Sequence, residues 1–166
     1  MTNDLAVPSS FGRAVWTVLW IGLIAGTLDI SDALIYSAIR GATPKMVFQY
    51  IASGLVGMQS FQMGGASVVL GAAIHYAIAL TWTAIFYIAS RQIAVLRERP
   101  VISGIAYGAV VYVVMNYVVL PLTRVPPAKR PPTVAGRINA VAALLFCIGL
   151  TVSLLVKWSD SRSVVR

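Results

Sequence analysis

Apolar residues in this chain gather into long blocks instead of recurring at the period of a half-buried helix or strand. Four blocks, at about 14–39, 64–90, 101–122 and 134–158, reach the length of about 20 apolar residues that a helix needs to cross a hydrocarbon core roughly 30 Å thick. Strands of a membrane barrel would alternate apolar and polar over about ten residues. VVYVV at 110–114 and AALLF at 142–146 do not alternate. The pattern therefore predicts an all-α fold, a polytopic membrane protein with four transmembrane helices in one domain over residues 14–158. An N-terminal tail at 1–13 and a C-terminal tail at 159–166 flank it. The first block is longer than the core of a signal peptide, which predicts a retained anchor.

Between the first two blocks runs TPKMVFQYIASGLVGMQSFQ, too apolar for a loop and too interrupted for a clear span. Thr43 followed by Pro44 reads as a helix start, with a hydroxyl to cap and proline at the first helical position. Val47, Tyr50, Ile51, Leu55, Met58 and Phe61 form a broad apolar stripe, and Lys45, Gln49, Ser53, Gln59 and Ser60 occupy much of the other side. A short helix over about 44–62 is expected, interfacial or re-entrant, with a fifth span as the less favoured alternative because the apolar stretch is short. The second connection, SRQIAVLRERP, is short and basic. The third, TRVPPAKRPPTVAGR, is rich in proline and reads as a stiff, extended strap.

Composition agrees with the blocks: 58% of residues are hydrophobic and 11% charged, against about 45–50% and 25% in an ordinary globular domain. The net charge of +8 comes from cations that flank the spans. A lipid bilayer with anionic headgroups is the partner this implies, and nucleic acid is excluded because no basic surface is interleaved with aromatic residues. With four spans, Arg13, Arg91, Arg97, Arg99, Lys157, Arg162 and Arg166 share one side, and Arg40, Lys45, Arg124, Lys129, Arg130 and Arg137 the other. That near balance decides little by the positive-inside rule. The compact basic turn RQIAVLRERP favours cytoplasmic termini. Cys147 is the only cysteine, so no disulfide can form within the chain, cysteine-based zinc or iron–sulfur sites are excluded, and packing is its expected role. His75 is the only histidine, and a bis-histidine haem would need two chains. No cofactor, metal site or catalytic residue is expected.

Small residues become informative where lipid provides little drive for helix association. Gly22 and Gly26 mark a face of the first span, Gly71, His75 and Ala79 one of the second, Gly104 and Gly108 one of the third, and Gly136, Ala140, Ala143 and Cys147 one of the fourth. Asp29, His75 and Asn116 fall on these packing stripes, where a polar group avoids lipid. At about 1.5 Å of rise per residue, Asp29, Asp32, His75, Asn116 and Arg137 all come out in one half of the membrane. Asp32 and Arg137 are the expected ion pair. Asp29, His75 and Asn116 would form a deeper layer, with Tyr76 and Tyr112 as hydroxyl donors. A charged aspartate at mid-bilayer costs about 2.5–3.5 kcal/mol on insertion scales, so either a polar site or a helix-bracing role must explain it.

Four stretches, GLIAGTLDI, QYIASGLVG, GAAIHYAIALTW and MNYVVLPLT, carry a resemblance over roughly residues 20–125. Together they resemble a family of small uncharacterised four-helix proteins of the bacterial inner membrane. That resemblance implies four helices with a short intervening one, and brings no reaction with it. Three functions stay open. One is an oligomeric channel or transporter for protons, ions or a small polar solute, using the Asp29, His75 and Asn116 cluster. Another is an accessory or structural subunit that binds a membrane protein partner or anionic lipid. A lipid-directed membrane enzyme is the third, although the chain has no P-loop, HExxH or GxSxG.

Overall fold

In a computed structural model, residues 10–127 and 133–163 are described. Most of the N-terminal tail, the centre of the strap with Lys129 and Arg130, and Arg166 lie outside them. Among the described residues the chain is helical without strands. It comprises α1 (Ser10–Ile39), α2 (Pro44–Val56), α3 (Gly65–Gln92), a short α4 (Val95–Glu98), α5 (Pro100–Val114), α6 (Leu120–Leu122), α7 (Val134–Ala143) and α8 (Thr151–Ser163). A 3-10 turn (Gly57–Phe61) follows α2, and π-helical segments join α5 to α6 (Met115–Val119) and α7 to α8 (Leu144–Leu150). Four stretches are long and apolar enough to cross a membrane: Phe11–Ile39, Gly65–Gln92, Pro100–Leu122 and Val134–Arg162.

Two ends differ from the sequence expectation. The first helix starts within the expected N-terminal tail, and the last continues past residue 158 to Ser163. Side chains hold that last turn: Arg91 donates to Asp160 at 2.7 Å, and the Arg162 guanidinium lies 3.9 Å from the Trp158 ring centre.

Small residues decide which helices approach closely. Gly22 and Gly26 of α1 face Leu80 and Ala79 of α3, with room for no Cβ at either. Gly104 and Gly108 of α5 meet the backbone of the fourth span at Leu150 and Leu144, and Gly149 faces the Gly104 carbonyl in return. Gly149 is the fourth span's main contribution to this contact. Gly136, expected in that role along with Ala140, faces the Tyr36 hydroxyl of α1 instead. The stripe Gly71, His75, Ala79 likewise splits: Gly71 lies under the Phe48 carbonyl of α2, whereas Ala79 packs on α1. The core gathers Ile21, Ala25, Phe86, Val111, Ile148 and Val152.

No such glycine pair joins α3 to α5. Aromatic side chains bridge them: the Tyr107 hydroxyl donates to the Trp82 carbonyl at 2.5 Å, and the Phe86 and Tyr107 rings meet edge to face. Below this bridge the two helices stay apart, which leaves space between them.

α2 closes that space, and its faces are inverted relative to a water-soluble helix. Thr43 caps it as expected, accepting from the Met46 amide at 3.3 Å. Lys45 in its first turn is exposed, but the polar residues Gln49 and Ser53 beyond that turn are buried, while Met46, Tyr50 and Leu55 are exposed. Gln49 Nε2 donates to the Ser60 carbonyl and to Ser67 Oγ of α3. An apolar face turned outward and a polar face satisfied inward suit a helix packed against the bundle in an apolar medium better than one lying between lipid and water.

Candidate functional site

The space between α3 and α5 is a cavity of about 510 Å³. α3 lines it with Ile74, His75, Ile78 and Trp82, and the third span with Val111, Met115, Asn116 and Val119. Asp29 enters from α1, and Leu144 and Ile148 from the fourth span. Tyr50, Ile51, Gly54 and Leu55 of α2 cover it, together with Thr123 and Val125 at the start of the strap. A backbone bond from the Arg124 amide to the Gly54 carbonyl, 3.0 Å long, fastens the strap to α2. Tyr50 is exposed on one side and packed over the cavity on the other, and that partial desolvation raises its phenol above the ordinary value.

Both π-helical segments border this cavity. In the third span the cause is local: Pro121 has no amide hydrogen, and its ring would clash with the carbonyl four residues earlier. The helix widens ahead of it, and the Leu120 amide reaches back five residues to the Met115 carbonyl. Asn116 spans the same turn, donating from Nδ2 to the Tyr112 carbonyl at 2.9 Å. In the fourth span, Thr151 donates to the Phe146 carbonyl from its amide and, at 3.0 Å, from its hydroxyl. Widened turns of this kind are frequent at functional sites.

The close approach of α1 and α3 positions the histidine. At Gly26 the backbone of α1 is bare enough for His75 Nε2 to reach the Gly26 carbonyl at 2.8 Å. A carbonyl can only accept, so Nε2 carries the hydrogen and Nδ1 is the basic nitrogen of the neutral ring. Next to it the Thr27 and Tyr76 hydroxyls pair at 3.0 Å. Asp29 makes no hydrogen bond or ion pair among the described residues, and lines the same cavity as His75.

The fold thus brings Asp29, His75 and Asn116 to one cavity, whereas Asp32 and Arg137 are elsewhere and do not pair. Asp32 Oδ2 accepts from Asn139 Nδ2 of α7 at 2.8 Å, while Arg137 is exposed. The reason is helical register: two residues apart on α7 are roughly 200° apart around the axis. When Asn139 faces α1, Arg137 faces away. Tyr76 bonds Thr27 and not the acid, and Tyr112 contributes its backbone carbonyl.

Sequence reasoning missed Asn139, Thr27 and Trp82. Asn139 lies three residues after Gly136 on the first turns of α7, a spacing that could have marked it as facing the same neighbour. Among the described residues, no three side chains of His, Cys, Asp or Glu gather closely enough to hold a metal ion. Comparison with known proteins finds no matching family model, no matching curated protein and no matching solved structure.

Proposed function

We propose that the chain is a multi-pass membrane protein of the permeation type, in which the cavity is the binding station of a small solute or proton. Asp29 and His75 are the groups that exchange its charge. One observation carries this reading: a carboxylate, an imidazole and an amide from three different spans converge on a cavity whose remaining lining is mainly apolar. His75 does brace α3 to the Gly26 carbonyl of α1, but Asp29 has no hydrogen bond among the described residues and braces nothing. The inverted faces of α2 support placing the whole bundle in lipid. The bacterial inner membrane, cytoplasmic termini and assembly into a homo-oligomer belong to the same proposal, as does kinship with the small four-helix family that the motifs resemble.

Reconstituted vesicles with a trapped pH dye and an imposed pH step test it. Wild-type protein is expected to speed proton equilibration over empty vesicles, with Asp29→Asn and His75→Ala each removing most of the increment. Equal rates for all three proteins would sink the reading.

A second reading has its own observation. Arg97 and Lys157 border, together with Glu98 and the Arg91-paired Asp160, a shallow pocket at the end of the bundle where α4 meets α8, and the two cations there are the contacts an anionic headgroup would use. Retention of phosphatidylglycerol over phosphatidylcholine in native mass spectra, lost in an Arg97→Ala/Lys157→Ala double variant, is the result expected from it.

A further inference from the structure

The polar inventory of the cavity narrows the solute class, an inference that rests on reading this cavity as the solute site. Most of its donors are engaged by the protein itself; the Tyr50 hydroxyl, able to donate or accept, has no side-chain bond among the described residues. The Trp82 indole donates to Met115 Sδ at 3.4 Å, His75 Nε2 to the Gly26 carbonyl at 2.8 Å, and the Thr123 hydroxyl to the Leu120 carbonyl at 2.7 Å. The Asn116 amide spends one N–H on the Tyr112 carbonyl. Beside the Tyr50 hydroxyl and the second Asn116 N–H, what stays unengaged is acceptor: both carboxylate oxygens of Asp29, Oδ1 of Asn116 and, when the ring carries its hydrogen on Nε2 alone, Nδ1 of His75. No lysine or arginine lines the space.

We propose that the cavity takes a protonated amine carried on an apolar body. An anion would meet a carboxylate with no cation to offset it. A bare metal ion would need several oxygen ligands to replace its hydration shell, and the mainly aliphatic walls do not supply them. An ammonium group gains charge-assisted hydrogen bonds from the acceptors and has the Trp82 ring in the same lining. Its apolar body fills the region bounded by Ile74, Ile78, Val111 and Ile148. The volume of about 510 Å³ falls in the range of about 300–1,000 Å³ that small-molecule sites occupy.

The test is equilibrium binding to the full chain in lipid nanodiscs, with empty nanodiscs as the baseline. Three probes share one apolar body: 1-naphthylmethylamine, 1-naphthylmethanol and 1-naphthoate, with cationic, neutral and anionic heads. Saturable binding of the amine about tenfold or more tighter than the alcohol, a difference of about 1.4 kcal/mol, is expected. Asp29→Asn should abolish that preference, bringing amine and alcohol to comparable affinity. Asn116→Leu, which keeps the acid, should weaken the amine severalfold, and Asp32→Asn, outside the cavity, should change none of the three. Four results would overturn the proposal: equal affinity for amine and alcohol, tightest binding of naphthoate, no saturable binding, or amine binding indifferent to both Asp29→Asn and Asn116→Leu. Amine binding without amine flux into vesicles would remove the permeation reading and leave the ligand class standing. Proton flux without amine binding would do the reverse.

Discussion

Asp32 and Asn139 show how much a single helical register decides. Asp32 sits one turn beyond Asp29 on α1, yet its carboxylate accepts from Asn139 of α7 at 2.8 Å, while Asp29 borders the cavity without a hydrogen bond among the described residues. Two acids close in sequence thereby take different roles, one tying α1 to α7 and one available to a ligand. Truncating the partner of a half-buried carboxylate leaves it unsatisfied, so Asn139→Ala is expected to cost about 1–2 kcal/mol. Arg137→Ala, at an exposed position without an ion pair to Asp32, should stay within about 0.5 kcal/mol. Unfolding in mixed micelles with increasing dodecyl sulfate measures both, and the reverse ranking would restore the ion pair expected from sequence. Asp29, His75 and Asn116 were legible as neighbours, which now line one cavity, because each lies on a stripe of small residues. Asn139 was not, because its significance depends on which face of α7 meets α1, and two faces of that helix carry polar groups.

At the level of elements, close packing separates two tight helix pairs from one open seam. α1 packs on α3 through Gly22 and Gly26, and α5 on the fourth span through Gly104, Gly108 and Gly149. α3 and α5 are held apart by Trp82, Phe86 and Tyr107, and the cavity lies in the gap. A leucine at Gly108 or Gly149 has no space against the opposing backbone, so either substitution should destabilise the bundle by about 1–3 kcal/mol in the same unfolding assay. A cost under about 0.5 kcal/mol would mean that the two spans do not meet as described. α2 allows a sharper prediction. Met58, just after it, is 65% exposed; in water Met58→Lys would be harmless, whereas in hydrocarbon a lysine costs up to about 2.5–3.5 kcal/mol. Loss of stability in nanodiscs on that substitution is expected, and unchanged stability would place this turn in the aqueous phase. The existence of α2 and its Thr43 cap could be read from the chain. Its facing could not, since a stripe of apolar residues fits a core and a lipid contact equally well.

For the whole molecule, four helices long and apolar enough to cross a membrane put the end of the bundle bearing Arg97 and Lys157 opposite the end bearing Arg40. In a Cys147→Ser background, cysteines at 97 and 157 are expected to react with an impermeant maleimide from the same side of sealed vesicles, and a cysteine at 40 from the other. Labelling of all three from one side would break the four-span topology. The class of fold followed from the chain alone because desolvation acts on every residue of a long apolar block in the same way, so block length suffices without knowledge of neighbours. Candidate polar residues followed by the same logic, since a carboxylate in such a block is conspicuous wherever the helices lie. Which of them meet was decided only in three dimensions. Asp29, His75 and Asn116 come from three helices whose rotations depend on a proline-widened turn, which is local, and on the glycine contacts and the seating of α2, which are relations between segments far apart in the chain. Hydrogen bonds and cavities depend on ångström-scale separations between such segments, and hydrophobic pattern carries no information at that scale.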